Sequence, residues 1–187
     1  GYTPNDTDEY VLSFTRQTGA KNAPYNVDQP VRGITPTPLP PGSSYQRDWS
    51  WPVWDIDSLA FYSHTEFGEG LYLNTKAHYN TFDNTLSAWD NYTHSTQTVN
   101  RAFDSIYDDK ALGLSAEIGG NLSATDVLKG SLHFRRDEHS ATNIPRPGVN
   151  TTPDPAKVSK EETYSFALEN TWHARDDLSI VAGLSFD

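Results

Sequence analysis

The sequence contains neither cysteine nor methionine. It therefore has no disulfide framework, thiolate metal site or cysteine nucleophile. A complete reading frame begins with Met, whereas this chain opens Gly1-Tyr2-Thr3-Pro4 with no charged and apolar leader. The expectation is a processed chain or a piece of a larger one, and the strand pattern still running at Val181 to Asp187 favours a fragment. No run of about 18 apolar residues is present, which excludes a transmembrane helix. Basic residues are scarce: 14 Lys and Arg stand against 25 Asp and Glu, for a net charge of -11. With no basic stripe, nucleic acid is excluded as a partner. Hydrophobic residues make up 35% and the mean hydropathy is -0.67, low for a soluble core. There is no Gly-x-Ser-x-Gly, His-Glu-x-x-His or phosphate loop, so the expectation is no enzyme and no cofactor.

What the chain does have is a period of two. Leu178, Ile180, Ala182, Leu184 and Phe186 alternate with Ser179, Gly183 and Ser185; Leu112, Leu114, Ala116 and Ile118 alternate likewise, as do Leu71, Leu73, Ala77 and Tyr79. Such alternation is a β-strand with one face in an apolar medium and the other in a polar one. It predicts strands near 9–17, 55–67, 71–82, 110–119, 127–136, 163–173 and 178–187. In the second of these the facing stays open, because Leu59 and Phe61 compete with Ile56, Ala60 and Tyr62.

The connections alternate too. Glu69-Gly70, Asn121 to Asp126 and Ala174 to Asp177 are tight. The stretches 18–52, 83–108 and 137–160 run to roughly thirty residues, against about 2–5 for an ordinary hairpin loop. Seven of the twelve prolines fall between Thr18 and Pro52, which predicts a long loop there. Short turns at one end and long loops at the other are how an outer-membrane barrel is built. The predicted fold is all-β: an antiparallel up-and-down meander of about seven transmembrane strands, part of a larger outer-membrane β-barrel. An odd strand number does not suit a closed bacterial barrel, so residues 1–187 are expected to be a partial barrel domain.

Aromatic residues are 12% of the chain, with five Trp and ten Tyr. Trp49, Trp51, Trp54, Trp89, Tyr92 and Tyr107 fall in or beside the long connections, where rings could stack on a ligand; the competing reading is a girdle at the lipopolysaccharide boundary or loop packing. Trp89 and Tyr107 are preferred as ligand contacts, both expected in the loop between the third and fourth predicted strands. Lys76, His78, Glu117, Lys129, His133, Arg135, Glu169 and His173 occupy the polar alternates and are expected to line a lumen. Asp104, Asp108 and Asp109 could in principle hold calcium, but their spacing does not match a twelve-residue calcium loop and a solvated turn is the simpler reading. No other metal site is expected.

Several stretches together resemble a known family: Arg47-Asp48-Trp49-Ser50-Trp51-Pro52-Val53-Trp54-Asp55 leading into Ser58-Leu59-Ala60-Phe61-Tyr62-Ser63; Tyr79-Asn80-Thr81-Phe82-Asp83-Asn84-Thr85-Leu86; Ser105-Ile106-Tyr107-Asp108-Asp109; Leu128 to Asp137; and Leu178 to Asp187. Their order and spacing look like the barrel of TonB-dependent outer-membrane receptors, from about Asp48 onward. The resemblance implies a barrel of about 22 strands, plugged by an N-terminal domain and driven by TonB. Its cargo would be an iron–siderophore complex, cobalamin or another scarce solute. The implied surroundings are outer-membrane lipid and lipopolysaccharide, with the plug and TonB as partners of the complete protein. No plug or TonB-contacting box is recognisable in these residues. Two other classes compete: a secreted, Trp-rich β-sandwich that binds carbohydrate, and a glycosidase, for which no pair of opposed carboxylates can be assigned.

Overall fold

A computed structural model describes residues 1–23, 48–68, 70–91 and 93–187. Its elements are β1 (Glu9–Gln17), β2 (Lys21–Asn22), β3 (Trp49–Gly68), β4 (Leu71–Ala88), β5 (Phe103–Asn121), β6 (Asp126–Pro145), β7 (Lys157–Arg175) and β8 (Leu178–Phe186), with no helix among the described residues. All belong to one antiparallel sheet in the order β1-β3-β4-β5-β6-β7-β8, with β2 also paired to β3. β1 lies along residues 56–64 of β3, and β2 continues along Ser50 and Trp51. The two form one interrupted edge strand. The antiparallel up-and-down meander is therefore present, and the sheet is open, with β1 and β8 as its edges.

The tight turns sit where they were expected. Gly68 and Gly70 flank the β3–β4 turn with φ of 89° and 77°, a left-handed geometry that side chains resist. In the β5–β6 turn, the Leu122 and Ser123 amides donate to the Asp126 carbonyl at 2.8 and 3.3 Å. The Ser123 and Thr125 hydroxyls donate to the Asp126 carboxylate at 2.8 and 3.0 Å.

The long connections differ from expectation. β3 to β7 are 18 to 20 residues each, so residues 83–88, 103–108, 137–145 and 157–160 are strand rather than loop. The described residues between the long strands are 89–91, 93–102 and 146–156; residues 24–47, 69 and 92 lie outside the described part. Pro52 does not end β3. A register shift between Ser50 and Val53 absorbs it, as a bulge does for a residue that cannot donate to the ladder.

Cross-strand register divides the side chains into two faces. One carries Leu12–Phe61–Ala77–Leu114–Phe134–Tyr164 as a single row across six strands. The next row, on the side of the tight turns, is Tyr10–Ser63–Thr75–Ala116–Leu132–Phe166–Phe186. This settles β3: Leu59 and Phe61 stand on the apolar face, Ile56, Ala60 and Tyr62 on the opposite one. Among the described residues no second layer covers either face. Ala88 and Ala102 are the buried hydrophobic residues among those described, while Leu132 is 60% exposed and Phe186 74%. The described residues thus form a single-layer sheet without a core.

Candidate functional site

The polar face carries the side chains with chemistry. Its half near the tight turns begins with a network around Glu117. Tyr72 Oη donates to Glu117 Oε1 at 3.0 Å and Asn74 Nδ2 to the same oxygen at 3.2 Å. His64 Nδ1 lies 2.7 Å from Asn74 Oδ1. The Tyr72 phenol lies across Gly119, where a Cβ would come within 2.5 Å of its hydroxyl. His78 lies across Gly113 in the same way, with its ring where a Cβ would be. Glycine on the neighbouring strand is what lets each ring lie flat. Beside them Lys129 Nζ stands 3.6 Å from Glu169 Oε1. Arg135 grips Asp137 through Nε at 2.7 Å and Nη2 at 3.0 Å. Lys76, His78, Glu117, Lys129, His133, Arg135, Glu169 and His173 all fall on this one face by register. Lys76, Glu117 and His133 border one shallow depression with Tyr62 and Asn74.

Toward the long loops the same face turns aromatic. Trp54 meets Phe82 edge-on with ring centroids 4.8 Å apart. Lys21 Nζ sits 3.2 Å above the Trp54 ring and 4.9 Å from that of Trp51. Tyr107 stacks on His139 at 5.8 Å, and His139 Nδ1 is 2.6 Å from Asp109 Oδ1. Trp49 packs against Phe103 with centroids 6.4 Å apart. Between Trp54 and Tyr107, in register with both, Asn84 keeps its Oδ1 out of solvent and without a hydrogen-bond partner. The arrangement is a shelf of rings across β3 to β6 with one unanswered acceptor in its middle. Rings offer rigid contact area at low entropic cost.

This corrects the placement of the aromatic candidates. Tyr107 is on β5, not in a loop, and Trp49, Trp51 and Trp54 are on β3. Trp89 does lie in the β4–β5 loop, but its Nε1 donates to Ser50 Oγ at 2.7 Å and its ring stacks on His94 at 5.7 Å. It is an anchor for that loop. Tyr92 lies outside the described residues. Phe82, His139 and Phe103 belong to the shelf and were not singled out from sequence; the alternation Phe82, Asn84, Leu86 against Asp83, Thr85, Ser87 was the available signal.

The three aspartates do not converge. Asp109 faces the shelf, Asp104 and Asp108 the opposite side. Asp104 accepts from Gln97 Nε2 at 2.6 Å, and Asp108 pairs with Lys110 at 3.2 Å. Among the described residues no group of three or more His, Asp or Glu side chains could hold a metal ion.

The β4–β5 loop is organised by Asp90. Partial burial pushes its carboxyl up. The Thr98 and Val99 amides and the Thr98 hydroxyl, donating at 2.8 to 3.0 Å, outweigh that and hold it far below the usual carboxylate range. The loop then docks on its neighbour, with the Gly148 amide donating to the Gln97 carbonyl at 3.1 Å and Arg146 to that of Ala102 at 2.9 Å. No family model, curated protein or solved structure matches the chain.

Proposed function

We propose that this sheet is part of the wall of a TonB-dependent outer-membrane receptor that takes up a scarce solute, an iron–siderophore complex or a cobalamin-type ligand. One observation carries the reading. The face is free of charge across the band: no charged side chain stands among its alternates from Leu59 to Thr65, Leu71 to Tyr79, Leu112 to Gly120, Leu128 to Phe134, Tyr164 to Trp172 or Leu178 to Phe186. The band is about nine residues tall. At about 3.4 Å per residue and a tilt of about 40°, that spans roughly 23 Å, close to the roughly 25 Å apolar belt of membrane barrels. A carbohydrate-binding sandwich would need a second sheet over this face, and the described residues contain none.

In this reading the polar face lines the lumen, where the plug would meet the Glu117 network and the Arg135–Asp137 pair. The aromatic shelf lies in the outer mouth, above the membrane, and meets the ligand. The strands continue past the band because the wall extends beyond the bilayer into a vestibule. The experiment is cysteine labelling in the full protein on intact cells. Thr96→Cys and Asn150→Cys should react with an impermeant reagent, and Ala124→Cys only after the outer membrane is opened. The reverse pattern, or equal labelling, refutes the topology.

A further inference from the structure

One end of the aromatic shelf already holds a cation, and it belongs to the chain itself. Lys21 Nζ stands 3.2 Å above the Trp54 ring and 4.9 Å from that of Trp51. Among the described residues it forms no ion pair with a carboxylate. We propose that the cargo of this shelf is cationic: it carries an ammonium or guanidinium group that replaces Lys21 on the indole face of Trp54. The inference rests on the reading of the shelf as the cargo contact and adds to it the charge of what is bound.

The strands that build the shelf supply no fixed positive charge. Residues 49–56 of β3, 82–88 of β4, 103–109 of β5 and 139–145 of β6 contain no Lys or Arg. The His139 ring is engaged through Nδ1 by Asp109 Oδ1 at 2.6 Å. The shelf offers acceptors instead. Asn84 Oδ1 lies between Trp54 and Tyr107, out of solvent and without a partner. Asp109 faces the shelf, and its Oδ2 accepts from none of the described residues. An ammonium has three donors, a guanidinium five, and neither has an acceptor. Either group suits these oxygens, and either is drawn to a ring face by the ring quadrupole, most strongly on Trp. A carboxylate or phosphate would leave Asn84 unanswered and meet Asp109 with like charge. The chain's net charge of -11 favours a cation at longer range as well.

Lys21 is placed to give way. It is exposed and sits on β2, a strand of two residues that pairs with Ser50 and Trp51 through the backbone. The Ala23 amide continues that ladder by donating to the Trp49 carbonyl at 2.9 Å. None of these bonds involves the ammonium. The tip of a flexible four-carbon stem can therefore swing into water while the ladder stays closed. Its departure forfeits one exposed cation–π contact, which the incoming cation restores on the same ring. Lys21 thus marks the cation site and competes weakly for it.

The test measures equilibrium binding of two radio-iron chelates to the full protein in detergent. One is a ferric trihydroxamate whose chain ends in a primary amine; the other is the same chelate with that amine acetylated. They share the metal and its ligands and differ by one charge. The amine form should bind about tenfold more tightly. Trp54→Leu should abolish the difference by weakening the amine form to the level of the acetylated one. Lys21→Gln should tighten the amine form about threefold and leave the acetylated form unchanged. Lys129→Gln, at the other end of the polar face and paired with Glu169, should change neither. Lys21 is exposed, so its variant decides alone if Trp54→Leu does not fold. Equal binding of the two chelates, or weaker binding of either in Lys21→Gln, overturns the cationic cargo while leaving the shelf as a contact surface. Binding of neither chelate overturns this inference together with the cargo reading it rests on.

Discussion

Leu132→Arg separates a lipid-facing band from a water-facing one more sharply than any other single change. Leu132 lies in the row Ala116–Leu132–Phe166, two rows from the band's upper edge at Leu112 and two from its lower edge at Gly120. That puts it at mid-height, and it is 60% exposed, with no layer over it among the described residues. In a bilayer an arginine there costs roughly 2–4 kcal/mol, falling to about 0–1 kcal/mol near the interfaces. The folding equilibrium should drop roughly 30- to 800-fold. Leu112→Arg, two rows nearer the headgroups, should cost only the smaller amount. Ser131→Arg points to the other face, opposite Glu117, and should be close to neutral. The assay is equilibrium unfolding of the full protein from lipid vesicles in guanidinium, with all three variants measured under the same conditions. If the face were in water, a 60% exposed leucine could be exchanged for arginine at almost no cost. Equal effects on the two faces, or no gradient between Leu132 and Leu112, would refute the reasoning.

Two further outcomes follow from the loop and the shelf. The Asp90 carboxyl is held below its ordinary value, so its contribution to loop order is fully present above about pH 4 and is lost as the pH falls through the lower folded value; Asp90→Ala should reproduce that loss at neutral pH, read as faster amide exchange at Thr98 and Val99. Trp54→Ala and Tyr107→Ala should each reduce uptake of radiolabelled ferric chelates by cells carrying the full protein, a stacked ring contributing about 0.5–1.5 kcal/mol beyond its area. Trp89→Ala should act instead through loop order, so uptake losses confined to Trp89→Ala would remove the shelf as the contact surface.

The sequence made one half of each strand readable and hid the other. From Leu112 to Ile118 apolar and polar residues alternate, and the period alone finds the strand, its facing and its turn. From Asp137 to Pro145 both faces are mixed: Asp137, His139, Ala141 and Asn143 on one, Glu138, Ser140, Thr142 and Ile144 on the other. No hydropathy period survives there. The segment is nonetheless strand, because β5 lies alongside all of it and β7 along Asp137 to Ala141, satisfying the backbone whatever the side chains are. The same loss of contrast moved Tyr107 into a predicted loop. β3 adds a second mechanism: Pro52 signals a break, and the bulge beside it costs only a register shift.

The candidate site suffered most from this, for a physical reason. Trp54, Phe82, Tyr107 and His139 come from four strands and are neighbours only through register. Register is set by the apolar half: Phe61 opposite Ala77, Leu114 opposite Phe134, since a one-residue slip would turn each apolar row to the polar side. That same pairing, carried outward along the ladder, fixes which rings meet where hydropathy no longer alternates. The shelf is thus specified at a distance, by residues that do not touch it. A slip-inducing change in the band, such as deleting one residue between Leu112 and Ile118, should scatter the shelf even though every ring remains in the chain.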